Sequence, residues 1–146
     1  MRTSYKLLLS AMLAGSVASG VHANTLLETG RFYCDFATEE DFNRWTIIDA
    51  NGPGSGDYNY WMYTPSQERA TMKNGSSKDG DDWLITPAIT LEEGKLYSVK
   101  MRFTGDYPCT FEVTYGSEAT AESQVSATGH VRYEGDHYLS FELPAE

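Results

Sequence analysis

The longest regular alternation in the chain runs from Tyr97 to Phe103, where Tyr97, Val99, Met101 and Phe103 face one way and Ser98, Lys100 and Arg102 the other. A period of two over this length predicts a half-buried strand. Similar alternation recurs at Cys109–Tyr115, with Cys109, Phe111, Val113 and Tyr115 on one side, and at Tyr138–Leu143, with Leu139, Phe141 and Leu143 turned inward. Shorter strands are predicted at Arg31–Phe36, Trp45–Asp49, Tyr58–Tyr63, Arg69–Met72 and Val131–Tyr133. Asp81-Asp82-Trp83-Leu84-Ile85 is a further one, too apolar and too β-prone to lie in water. Pro87 interrupts its ladder, and Ile89 and Leu91, alternating with Ala88 and Thr90, predict a second short strand beyond it.

Between these runs lie the breakers. Asn51-Gly52-Pro53-Gly54-Ser55-Gly56-Asp57, Lys73–Gly80 and Gly105-Asp106-Tyr107-Pro108 read as loops or turns, and Gly116–Thr128, small and polar, reads as a long loop. Only Ala37–Arg44 suggests a turn of helix, with Thr38 and Asp41 spaced as an N-terminal cap. Short strands separated by turns, with no sustained helical period, predict an all-β sandwich.

The start of the chain follows different rules. Arg2 and Lys6 precede an apolar stretch, Leu7–Val17, and Val21-His22-Ala23 offers small residues where a signal peptidase reads. Residues 1–23 are therefore expected to be a secretory signal, 24–30 a short leader that orders only by pairing, and 31–146 the folded domain. The stretch is shorter than the ~20 residues that span a bilayer, so no membrane span is expected once the signal is removed. Its loss takes the 11 basic residues to 9 against 21 acidic ones, a net charge of −12. Such a balance excludes nucleic acid and anionic membrane as expected partners, because phosphates demand clustered Lys and Arg. An apolar fraction of 40% with 13% aromatics is sufficient for one core.

Candidate chemistry is sparse. The Gly52–Gly56 loop precedes a strand, whereas phosphate-binding loops open a helix, and it places Gly where a nucleophile elbow needs Ser. His130 and His137 lack metal-ligand spacing, and nothing singles out a catalytic carboxylate pair among the acids. Calcium is better served: Asp49, Asn51 and Asp57 supply loop oxygens of the kind this hard cation takes. In Tyr58-Asn59-Tyr60-Trp61-Met62-Tyr63 the aromatics either pack the core or, as Tyr58, Trp61 and Tyr63, stack on sugar rings. Cys34 and Cys109 both face the predicted core, as a disulfide outside the cytoplasm or as two separate thiols.

The order Trp45…Asp49-Ala50-Asn51-Gly52…Trp61-Met62-Tyr63, then Asp81-Asp82-Trp83-Leu84-Ile85-Thr86-Pro87-Ala88-Ile89-Thr90-Leu91, Gly94-Lys95-Leu96-Tyr97 and Phe111-Glu112-Val113-Thr114-Tyr115-Gly116 resembles the cleaved-adhesin or choice-of-anchor J modules of secreted Bacteroides-type bacterial proteins. That resemblance implies a jelly-roll β-sandwich, related to galactose-binding and MAM-type domains, and adds Asp35 as a calcium ligand. It also implies that the domain lacks its last strands. The expected function is a non-catalytic binding or adhesion module, secreted or at the cell surface, that contacts glycan or a surface protein. The alternatives are a carbohydrate-binding module or a structural spacer of a secreted multidomain hydrolase or protease, with neighbouring domains as partners.

Overall fold

A computed structural model describes residues 4–10, 25–28, 30–52, 59–73 and 80–144, with only the backbone of 4–10, 25–28 and 106–108. Among the described residues the fold is all-β apart from a five-residue helix and one 3₁₀ turn. Its strands are β1 (Ser4–Ser10), β2 (Thr25–Glu28), β3 (Arg31–Cys34), β4 (Thr46–Asp49), β5 (Tyr60–Thr64), β6 (Arg69–Lys73), β7 (Asp82–Ile85), β8 (Leu96–Gly116) and β9 (Gln124–Pro144). Helix α1 (Glu39–Asn43) lies between β3 and β4. The main sheet has the order β4-β7-β1-β8-β9, and β2-β3 and β5-β6 form two antiparallel pairs beside it. No helix among the described residues is long and apolar enough to cross a membrane.

Helix α1 starts as its sequence suggests. Thr38 Oγ1 accepts from the Asp41 backbone N–H at 3.2 Å and donates to Asp41 Oδ2 at 2.8 Å, satisfying a donor that a helix start otherwise leaves open. The helix is held chiefly by Phe42, which is buried with Trp45 and Leu84 and joined there by Phe32, Phe36, Trp61 and Tyr63.

Strand β7 is buried at every position. It pairs antiparallel with β4, placing Ile47 opposite Leu84 and Ile48 opposite Trp83, and parallel with β1 on its other side. The second strand expected after Pro87 does not form. Residues 86–92 have no ladder, although Ile89 is still buried and Thr90 O accepts from Gly30 N at 2.6 Å.

Sequence reading breaks the C-terminal half into four strands; the structure joins them into one 21-residue hairpin arm on each side. The expected turn at Gly105–Pro108 is an irregularity instead. From Gly105↔Gly135 to Cys109↔Tyr133 the register advances four residues on β8 and two on β9, so β8 carries two extra residues there. Pro108 lies in this unpaired insertion, where its missing N–H removes no ladder bond. Gly135, which pairs with Gly105 at the edge of the insertion, has φ +70°, a conformation that side-chain-bearing residues rarely adopt.

The result is a sharp bend. Phe103 and Phe111 are eight residues apart on one strand, about 26 Å if it were straight, yet their ring centroids are 4.1 Å apart. Folding the ribbon back brings Met101, Phe103, Leu139 and Phe141 against Phe111 and Val113, and Trp61 and Met72 of the β5-β6 hairpin join the same cluster. This gives two packed layers, a sandwich-like arrangement. The expected long loop shrinks to residues 117–123, where Gln124 Nε2 donates to Glu118 O at 2.5 Å and Ser123 Oγ to the same carbonyl at 2.7 Å.

Strand β2 pairs antiparallel with β3, with Leu26 opposite Tyr33 and Leu27 opposite Phe32. Strand β1 falls inside the stretch that reads as a secretory signal. It occupies the interior of the main sheet.

If Phe111 joins the two layers, Phe111→Ala, at a site 3% exposed, will cost about 3–5 kcal/mol. Urea unfolding measures this, and a loss under 1 kcal/mol would refute the role.

Candidate functional site

The acidic end of the β4–β7 pair is the first place to look for chemistry. The register puts Asp49 opposite Asp82, and Ala50 N donates to Asp81 O at 2.9 Å, extending the pairing by one step. Asp81 Oδ1 accepts from Trp83 Nε1 at 2.8 Å, which satisfies the one polar atom of a buried indole. Asp82 is 1% exposed, and its main-chain carbonyl accepts from Trp61 Nε1 at 3.3 Å, tying the β5-β6 hairpin to the sheet. A Cβ at Gly80 would lie 2.5 Å from Asp82 Oδ2 and 3.3 Å from Asn59 Nδ2. Glycine there lets the chain pass a packed polar cluster of Gly80, Asn59 and Asp82.

Of the residues expected to hold calcium, Asp49 and Asn51 are exposed beside this end, and Asp57 lies outside the described residues. Asp35 is engaged locally: Oδ1 accepts from Ala37 N at 3.1 Å and Oδ2 from the Tyr33 hydroxyl at 3.3 Å. The carboxylate charge, with some desolvation, holds the Tyr33 phenol above its ordinary pKa. The turn it closes supports Phe36 at φ +57°, whose ring packs 4.8 Å from Trp45. Among the described residues no group of three or more His, Cys, Asp or Glu gathers as a metal site.

The aromatic residues are placed differently from a sugar platform on Trp61 and Tyr63. Trp61 is half-buried between two core clusters, and Tyr63 donates its hydroxyl to Ala37 O at 2.9 Å with its ring 6.2 Å from Phe42. Burial, and after it the nearby Glu68, Glu39 and Asp41, raise the Tyr63 pKa. Tyr58 lies outside the described residues. The exposed ring of this hairpin is Tyr60, with Lys73 Nζ 5.4 Å from its centroid.

A larger exposed aromatic is on the bent ribbon. Tyr138 is 70% exposed, and Arg102, its partner in register, lies over its ring at 5.6 Å while bonding Asp136 Oδ2 at 3.2 Å. Sequence reading bypassed this trio, though the inward alternation of Leu139, Phe141 and Leu143 already puts Tyr138 on the opposite face. Compared with protein-family models, curated proteins and solved structures, the chain finds no match.

The two cysteines are not joined. Cys34 packs with the cluster of Phe42, Trp45 and Leu84, and Cys109 with that of Phe111 and Val113. Burial pushes the Cys109 thiol up, and a hydrogen bond with Tyr133 pulls it partly back. His130 is exposed and His137 lies beside Tyr133, with ring centroids 6.3 Å apart.

Two outcomes are expected. Unreduced, denatured protein will titrate two thiols, and in native protein Cys109 will alkylate more slowly than a model thiol, since the thiolate is the reactive form; one thiol or none would show a bridge. Gly80→Ala will lower stability by roughly 1–3 kcal/mol, as crowding a packed site does, seen as a lower urea midpoint with unchanged slope.

Proposed function

We propose that the chain is a non-catalytic extracellular binding or adhesion module that contacts glycan or protein through the outer face of the β8–β9 ribbon. One observation supports this above the others: Tyr138 stands exposed on the two-stranded ribbon, with Arg102 over its ring and Asp136 bridged to Arg102 beside it. Tyrosine and arginine are the residues interfaces use most, because a flat ring gives large contact area at little entropic cost and a guanidinium binds planar acceptors. The Arg102–Asp136 bridge is exposed at both ends and worth at most about 1 kcal/mol to stability. Its value in this reading lies in orienting the guanidinium and leaving the outer ring face to a ligand.

The same reading includes export, membership of the choice-of-anchor J modules with their jelly-roll topology, and a calcium on the Asp49–Asp57 loop. The all-β, sandwich-like arrangement is what supports the family assignment. The adhesion role rests on the surface.

The decisive experiment is binding of the purified full chain to a glycan array and to a panel of extracellular matrix proteins. Tyr138→Ala is expected to lower affinity at least tenfold for whichever member binds, with thermal stability little changed, whereas Tyr33→Ala leaves binding intact. Binding indifferent to Tyr138, or none across the panel, would overturn this assignment.

A further inference from the structure

Three of the most deeply buried of the described residues flank one strand. Leu84 and Ile85 of β7 and Val113 of β8 are 1%, 0% and 0% exposed, and between them runs β1, parallel to both. Its register sets Leu7 between Leu84 and Val113, Leu8 between Ile85 and Thr114, and Lys6 between Trp83 and Glu112. Every residue of β1 pairs with β8. Strand β1 has a parallel neighbour on each edge, the kind of position that a continuous apolar run such as Leu7-Leu8-Leu9 suits.

The same seven residues lie inside the stretch that reads as a secretory signal. Removing residues 1–23 would open β7 and β8 along facing edges in the middle of the core, leaving their N–H and C=O groups with no strand between them. Unpaired edges of this kind are templates for another chain.

We propose that the gap between β7 and β8 is a strand-acceptor site, filled by residues 4–10 in the unprocessed chain and, after export, by an extended aliphatic segment of a partner protein. The segment runs parallel to both walls. It carries aliphatic residues at the two central positions, opposite Val113 and Thr114, and a basic residue before them, opposite Glu112. This inference depends on the export reading, and not on the Tyr138 surface.

The test uses the full chain with a specific protease site placed directly after Ala23. After cutting, the N-terminal fragment is expected to co-elute with the remainder on gel filtration. An excess of fluorescein-labelled Ser-Tyr-Lys-Leu-Leu-Leu-Ser should then displace it with a rise in anisotropy, and the peptide bearing Leu7→Asp and Leu8→Asp should bind at least tenfold more weakly. Should loss of the fragment unfold the remainder, refolding on addition of the labelled peptide supports the site and failure to refold overturns it. Equal binding of both peptides, departure of the fragment with no change in thermal unfolding, or closure of the gap by dimerisation of cut chains would each refute it. N-terminal sequencing of the exported protein separates the two readings: a start at Asn24 leaves the gap for a partner, and retention of residues 4–10 overturns the partner's role whatever the peptides do.

Discussion

The structure depends on the burial of β7 on both faces. Leu84 packs with Phe42 and Trp45 on one side of the sheet, while Trp83 and Ile85 pack with Ile48 and Ala121 on the other. A strand apolar on both sides is stable only if both its edges are also paired, because each unpaired backbone group away from water costs about as much as a lost hydrogen bond. Strand β4 supplies one edge and β1 the other. Everything else is attached to this arrangement: the β5-β6 hairpin through Trp61 and the Asp82 carbonyl, the helix through Phe42, and the ribbon turn through Ala121.

The bend in the ribbon is the second constraint, and it follows from the first. A single sheet leaves one apolar face open, and the Phe111–Val113 face is met by Trp61 and Met72 of the β5-β6 hairpin and otherwise by residues of the ribbon itself. Two extra residues on β8, next to the Gly105–Gly135 pair, let the ribbon fold back, so its own first half covers its second. Covering the core with one side of the ribbon puts the other side in water. Arg102, Asp136 and Tyr138 therefore stand outward for the same reason that Met101, Leu139 and Phe141 are packed inward.

Much of this was legible in the sequence. The period of two located the strands and assigned the correct inner residues in β8 and β9, and Thr38 marked the helix start. Three features were not legible, each for a physical reason. Alternation divides Tyr60 and Met62 from Trp61 and Tyr63, but cannot say which set meets the core, since that depends on what the hairpin packs against. Gly105–Pro108 has the composition of a turn, and an insertion in a continuous strand needs the same residues; only the partner's register tells them apart. Facing inward was a sound reading for Cys34 and Cys109, but a disulfide requires the Cα atoms to lie within about 7 Å, and inward-facing residues on different strands served different clusters.

The identity of β1 is the hardest case, because two physical demands converge on one composition. A secretory signal needs a basic start and an uninterrupted apolar run. A strand central in a sheet, with parallel neighbours and both faces covered, needs the same run. Leu7-Leu8-Leu9 belongs both to the apolar stretch of the signal reading and to the strand, so no argument from hydropathy alone separates them. Register adds information that hydropathy lacks: Lys6 falls opposite Glu112, and Leu7 and Leu8 fall at the level of the least exposed residues of both neighbours. A segment optimised only for a membrane would have no reason to match those positions, and a segment that matches them stabilises the folded chain for as long as it stays attached. One composition thus serves two demands, and the register is the observation that ties these seven residues to the fold.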